Sequence, residues 1–113
     1  MIHMFWALLC AHALCDFPLQ GDTMAKLKSR HTPIDPTRVP VGAKPSATWF
    51  YWLSAHALIH GGAVSLLTGN VALGITAAVA HWVIDFAKCE NWTNLHQDQA
   101  MHVACTALWA GLA

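Results

Sequence analysis

The sequence predicts an all-α protein, an integral membrane four-helix bundle with four short transmembrane spans forming a single domain over residues 1–113. Three observations predict it. Hydrophobic residues make up 56% of the chain and charged ones 11%, against about 25% charged in soluble domains. The apolar residues gather into four long runs. Each run carries a pair of His or Asp residues four positions apart, a spacing that stacks both side chains on one helical face.

The first span, residues 2–18, runs from Ile2 to Pro18, where proline ends the helical ladder. It has no basic leader and already contains His12 and Asp16, so it reads as a retained span rather than a cleaved signal. Residues 19–48 are different in kind, a basic Pro-rich loop. Pro33, Pro36, Pro40 and Pro45 punctuate it, and it holds Lys26, Lys28, Arg30, Arg38 and Lys44. Asp22 to Arg30 is expected as a short amphipathic surface helix capped by Asp22 or Thr23. The stretch 32–46 is expected as extended loop.

The second span, residues 49–68, opens on an interfacial belt of Trp49, Phe50, Tyr51 and Trp52. Thr68-Gly69-Asn70 makes a tight turn. The third span covers residues 71–87, Lys88 to Asn94 form a polar connection, and the fourth span covers residues 95–113. All six Lys and Arg residues fall after the first span or after the third. The positive-inside rule then puts both charged loops in the cytoplasm and both termini outside, in the inner membrane.

This topology sets the four pairs at one level: His12 and Asp16, His56 and His60, His81 and Asp85, Asp98 and His102. Ionisable groups within spans are costly, face the bundle interior and mark functional sites. Eight of them exceed what one tetrahedral ion needs. They suit one or two divalent transition ions, zinc first, with manganese or iron as alternatives. His31 and His96 are expected to be solvated in loops, and His3 lies at the opposite face. Gln20, Asp22 and Gln99 are expected as outer partners of the ligands or as substrate contacts. Lys26, Lys28, Arg30 and Lys88 read first as topology determinants touching anionic headgroups. Cys10, Cys15, Cys89 and Cys105 show no C-x-x-C spacing and read as small hydrophobes. Equal numbers of basic and acidic residues, six each, give no electrostatic footprint for nucleic acid.

The run His12-x-x-x-Asp16-Phe17-x-Leu19-Gln20-x-Asp22, with His56/His60, His81/Asp85 and Asp98-Gln99/His102, resembles a family of small bacterial and phage membrane proteins of unknown function. It is also similar to proteins labelled membrane-bound metal-dependent hydrolases. The resemblance covers nearly the whole chain, and the Pro-rich loop from Thr32 to Ser46 departs from it.

The expected function is metal-dependent hydrolysis of a lipid-linked phosphate or pyrophosphate at the cytoplasmic leaflet. His12, Asp16, His56, His60, His81, Asp85, Asp98 and His102 are the expected ligands, with Asp98 and His102 also catalytic. The metal would lower the pKa of a bound water and polarise the scissile phosphoryl oxygen. No P-loop, nucleophile elbow or His-Glu-x-x-His motif is present. The alternatives are a non-catalytic assembly protein with a structural metal site and a metal or proton transporter. The apolar exterior would pack against the bilayer and permit a homo-oligomer.

Overall fold

The computed structural model describes residues 1–113 and is all-α, with no strands. Five helices follow in order: α1 Ile2–Asp16, α2 Gly21–Leu27, α3 Trp49–Thr68, α4 Val71–Cys89 and α5 Leu95–Leu112, with a 3-10 turn at Pro36–Arg38. Four of them occupy the four apolar runs. The short α2 overlaps the expected amphipathic segment, starting one residue before Asp22 and ending at Leu27 rather than Arg30. Neither Asp22 nor Thr23 caps it; Gln20 stands at the cap position, and its side chain makes no capping bond to the helix.

Local chemistry explains the breaks. Pro18 and Gly21, the latter at φ +62°, turn the chain by 83° between α1 and α2. Gly69 closes α3 in the left-handed conformation at φ +66°, which an L side chain adopts at a cost of ~1–2 kcal/mol. Asn70 then caps α4 by accepting from the Leu73 amide at 3.2 Å. Asn94 and Gln97 form a reciprocal capping box that starts α5 at Leu95. His96, expected in a loop, therefore sits exposed in the first turn of α5.

α3 and α4 form a tight hairpin. A Cβ placed on Gly61 would lie 2.5 Å from the Gly74 carbonyl oxygen, and one on Gly74 would overlap the Ser65 hydroxyl. Small residues at such a crossing let two backbones approach closely. The approach brings the polar face of α3 onto that of α4, and Trp82 Nε1 donates to Ser54 Oγ at 3.1 Å across the same seam.

Burial is inverted relative to a water-soluble domain. Ten of the 18 buried residues are polar or charged, and the remaining eight are Leu8, Cys15, Leu53, Ala57, Ala77 and Ala110 with Gly61 and Gly74. Large apolar side chains point outward instead. On α4, Val71, Ile75, Val79 and Val83 form an exposed stripe at four-residue spacing, while Gly74, Ala77, His81 and Asp85 face inward. α4 is long and apolar enough to cross a membrane by itself; α1 and α2 meet that standard only when taken together across their bend. The four-span expectation is thus reduced to one helix on length and composition. α1 has 15 residues, or ~22 Å of rise against a hydrocarbon core of ~30 Å. His, Gly and Ser dilute α3, and the polar start of α5 dilutes the last helix.

Candidate functional site

The helical spacing carries each pair inward. His12 and Asp16 close α1, His56 and His60 lie mid-α3, His81 and Asp85 lie in the second half of α4, and Asp98 and His102 open α5. All eight are buried, and His56 and Asp98 have no exposed surface at all. The imidazoles touch one another. His60 and His81 stack with ring centroids 3.6 Å apart, His81 and His102 at 4.1 Å, and His56 and His60 meet edge-on at 4.8 Å. His12 completes the group, 5.1 Å from both His60 and His102. Five histidines and three aspartates from four helices form one continuous polar core.

Asp16 is at its centre. Oδ1 lies 3.2 Å from Nε2 of His56, 3.2 Å from Nε2 of His60 and 3.7 Å from Nε2 of His81. Oδ2 faces the other way, 3.5 Å from His12 Nε2, and accepts from Gln99 Nε2 at 2.7 Å. The same Gln99 amide donates to Asp98 Oδ2 at 3.1 Å. One glutamine thereby ties the carboxylates of α1 and α5 together.

Three sets of donor atoms lie within 4.8 Å of one another: Asp16, His56, His60 and His81; His12, His81 and His102; and Asp16, Asp98 and His102. Asp85 belongs to none of them. Its Oδ2 accepts from Lys28 Nζ at 2.6 Å, and its Oδ1 lies 3.3 Å from Lys88 Nζ. Lys28, itself only 3% exposed, also donates to Gln20 Oε1. Lys88 further donates to Asp98 Oδ2 at 3.4 Å.

The core is not internally satisfied. Nε2 of His60, His81 and His102, Nδ1 of His56 and Oδ1 of Asp98 are buried without a hydrogen-bond partner. Buried polar atoms are almost always paired, and leaving one unpaired costs ~1–3 kcal/mol. A cavity of about 30 Å³ is bordered by His12 and by three of these residues, His60, His81 and His102. It has room for about one water-sized occupant.

Several other sequence expectations can be placed. Gln20 and Gln99 join the cluster, whereas Asp22 is exposed and makes no side-chain hydrogen bond. Lys28 and Lys88, expected as topology determinants, reach the buried carboxylates themselves. Nothing in the local pattern marks Lys28 for burial; the 83° bend after α1 is what folds it beneath the bundle. His31 stays exposed but pairs with Glu90 Oε2 at 2.9 Å. His3 is exposed, remote from the core residues of α1. The four cysteines are free thiols, and none joins a donor set.

A family model described as a protein of unknown function, DUF3307, matches residues 4–111. No curated protein and no solved structure matches the chain.

Proposed function

Because the chain belongs to the DUF3307 family, whose function is unknown, we propose a function from the buried cluster itself: a membrane-embedded, metal-dependent hydrolase acting on a lipid-linked phosphate at the cytoplasmic leaflet. One observation carries this reading. The mutually close donors of Asp16, His56, His60 and His81 are buried together, and their imidazole nitrogens include atoms that no protein group satisfies. A divalent ion satisfies such atoms at once, and a mixed imidazole and carboxylate set suits zinc, with manganese and iron next.

The donor sets favour two ions. His81 belongs to both of the His-rich sets, so those two compete for it. The set Asp16–His56–His60–His81 and the set Asp16–Asp98–His102 share only Asp16. Its two oxygens already face opposite ways, Oδ1 to the histidines of α3 and α4 and Oδ2 to His12 and Gln99. Asp16 would then serve both sets. Ions held there would activate water for attack and polarise a phosphoryl oxygen. An ion held by Asp16, Asp98 and His102 would have room for water, as catalytic ions do. Asp98 Oδ1, buried and unpaired, is the group in position to take a proton from water, with His102 Nε2 3.5 Å away. Lys28 and Lys88 hold Asp85 beside the cluster and supply positive charge for an anionic substrate.

The membrane placement rests on the inverted burial. Histidines and aspartates fill the interior, while the outer faces of α3, α4 and α5 present Leu58, Leu66, Val79, Val83 and Leu108. Four helices in the bilayer, each with its polar pair facing inward, account for both facts. The charged loops then lie in the cytoplasm and the termini outside, and the apolar exterior leaves room for self-association.

A second reading, a structural ion fastening four short helices, is favoured by the first donor set, which supplies four protein donors and needs no water. Elemental analysis of the detergent-purified protein beside Asp16→Asn and His81→Ala tests both readings. Stoichiometric metal in the wild type, lost in both variants, supports the centre. Release of phosphate from a lipid phosphate, abolished in Asp98→Asn while the ion of the Asp16–His56–His60–His81 set is retained, supports catalysis over fastening. A folded wild type that takes up no metal after supplementation overturns both.

A further inference from the structure

A second cavity, of about 600 Å³, lies between the Pro-rich loop and the start of α3. That volume falls within the roughly 300–1,000 Å³ of small-molecule sites. None of the eight His and Asp residues of the cluster lines it.

Its wall carries three cations, Arg30, Arg38 and Lys44, and one acid, Asp35. Arg30 is engaged with Glu90 through Nε and Nη2. Arg38 Nε stands 3.8 Å from Asp35 Oδ2 at the surface, beyond hydrogen-bond distance. Asp35 instead accepts from the Thr37 amide and hydroxyl, at 2.9 and 2.7 Å. Lys44 makes no ion pair. Lys44 is thus uncommitted at the cavity, and Arg38 is held only by a long, exposed ion pair with Asp35. Thr48 and Trp49 extend the same wall where α3 begins without a side-chain cap.

The other chemistry of this cavity is aromatic. Trp49 and Trp52 line it, and Trp49 packs with ring centroids 6.4 Å from Trp82 and 6.0 Å from Phe86. Those rings belong to α4, whose exposed stripe of Val71, Ile75, Val79 and Val83 continues along the bundle. The cavity therefore joins a basic loop to an apolar outer surface. Trp52 precedes His56 by about one helical turn, ~6 Å of rise, so an occupant would be held close to the cluster.

We propose that this cavity binds the headgroup of a phosphate-bearing amphiphile, with Arg38 and Lys44 on the phosphoryl oxygens and Trp49 and Trp52 against the first part of the apolar chain. Guanidinium and ammonium groups recognise phosphate by charge-assisted hydrogen bonds, and tryptophan suits a boundary that is wet at one end and apolar at the other. The ligand class rests on the lipid-phosphate reading above; the cavity and its lining do not depend on it.

Titration calorimetry of the full chain in neutral detergent tests the proposal, with dihexanoyl phosphatidic acid, dihexanoyl phosphatidylcholine and inorganic phosphate as probes. The phosphatidate binds saturably, and both other probes bind at least tenfold more weakly. Arg38→Ala/Lys44→Ala weakens the phosphatidate tenfold or more; both side chains are exposed, so melting stays unchanged. Trp52→Ala weakens it similarly. Asp16→Asn, which removes the proposed metal centre, leaves binding within twofold. Absence of saturable binding, indifference to the double variant, or equal affinity for inorganic phosphate overturns the proposal. Variant-sensitive binding without any hydrolysis would sink the catalytic reading alone, whereas metal-dependent hydrolysis indifferent to Arg38 and Lys44 would sink this one alone.

Discussion

Lys28 Nζ donates to Asp85 Oδ2 at 2.6 Å in a fully buried pair, joining the segment after α2 to the middle of the bundle. The contact spans 57 positions of sequence and holds the basic loop against the cluster. Removing one partner of a buried ion pair strands the other, typically at ~3–5 kcal/mol, whereas replacing both is often near neutral. Lys28→Met is expected to destabilise by about 3 kcal/mol, the low end, because Lys88 Nζ remains 3.3 Å from Asp85 Oδ1. Lys28→Met/Asp85→Asn should regain most of that loss. Reversible unfolding in mixed micelles measures both, and a double variant worse than the sum of the singles would contradict the pairing.

Gln99 is the one neutral side chain that bridges two carboxylates of the cluster, donating to Asp16 at 2.7 Å and to Asp98 at 3.1 Å. It also lies 3.4 Å from His12 Nε2 through its carbonyl oxygen. Groups that orient metal ligands typically contribute 10–100-fold to affinity or activity. Gln99→Ala should therefore weaken metal affinity by that factor while leaving the helical content intact. Competition against a chromophoric chelator reads the affinity directly. Wild-type affinity in the variant would mean that the carboxylates are held by something else.

The crossing of α3 and α4 makes a sharper demand on stability. Gly61→Ala would set a methyl group against the Gly74 carbonyl oxygen and the Ala78 side chain. Overpacking of this kind costs ~1–3 kcal/mol. Gly62→Ala, one residue along and with nothing within 4 Å, should instead be neutral or gain the ~1 kcal/mol by which alanine exceeds glycine in a helix. Thermal unfolding of the two variants side by side gives the answer, and equal melting temperatures would contradict the close approach.

The bundle and its polar core were legible because both depend on one period. The i, i+4 spacing of His12/Asp16, His56/His60, His81/Asp85 and Asp98/His102 fixes which face of each helix turns inward. Gly69 and Asn70 announce the α3–α4 turn by residue type alone. Lys28 was not legible as a partner of Asp85, since its burial depends on the angle the chain takes at Pro18 and Gly21, a three-dimensional quantity without a periodic signature. Asp85 itself looks like a fourth-helix ligand by spacing; only the positions of Lys28 and Lys88 show that cations engage both of its oxygens. Of the four runs only α4 is long and apolar enough by itself to cross a membrane, because His, Gly, Ser and the shortness of α1 weaken the apolar signal in the other three.

Glu90, just beyond α4, gives a pH dependence separable from the cluster. Its carboxylate accepts from Arg30 Nε and Nη2 and lies 2.9 Å from His31 Nε2. The Arg30 guanidinium first, then His31, holds its carboxyl well below the usual range, at about 2 against an ordinary 4.5. A carboxyl depressed on folding stabilises the native state in full above its unfolded value and loses that stabilisation as pH falls through the folded one. The Glu90 contribution should thus be complete above pH 4.5 and fade between 4.5 and about 2. Glu90→Gln cannot show this window. Melting curves of both proteins, recorded from pH 2 to pH 6 in neutral detergent, should differ above 4.5 and converge towards pH 2. Raised salt should shrink the gap, because Arg30 and His31 are themselves half exposed at 50% and 56%. A difference that stays constant across the range would show that Glu90 contributes through packing alone.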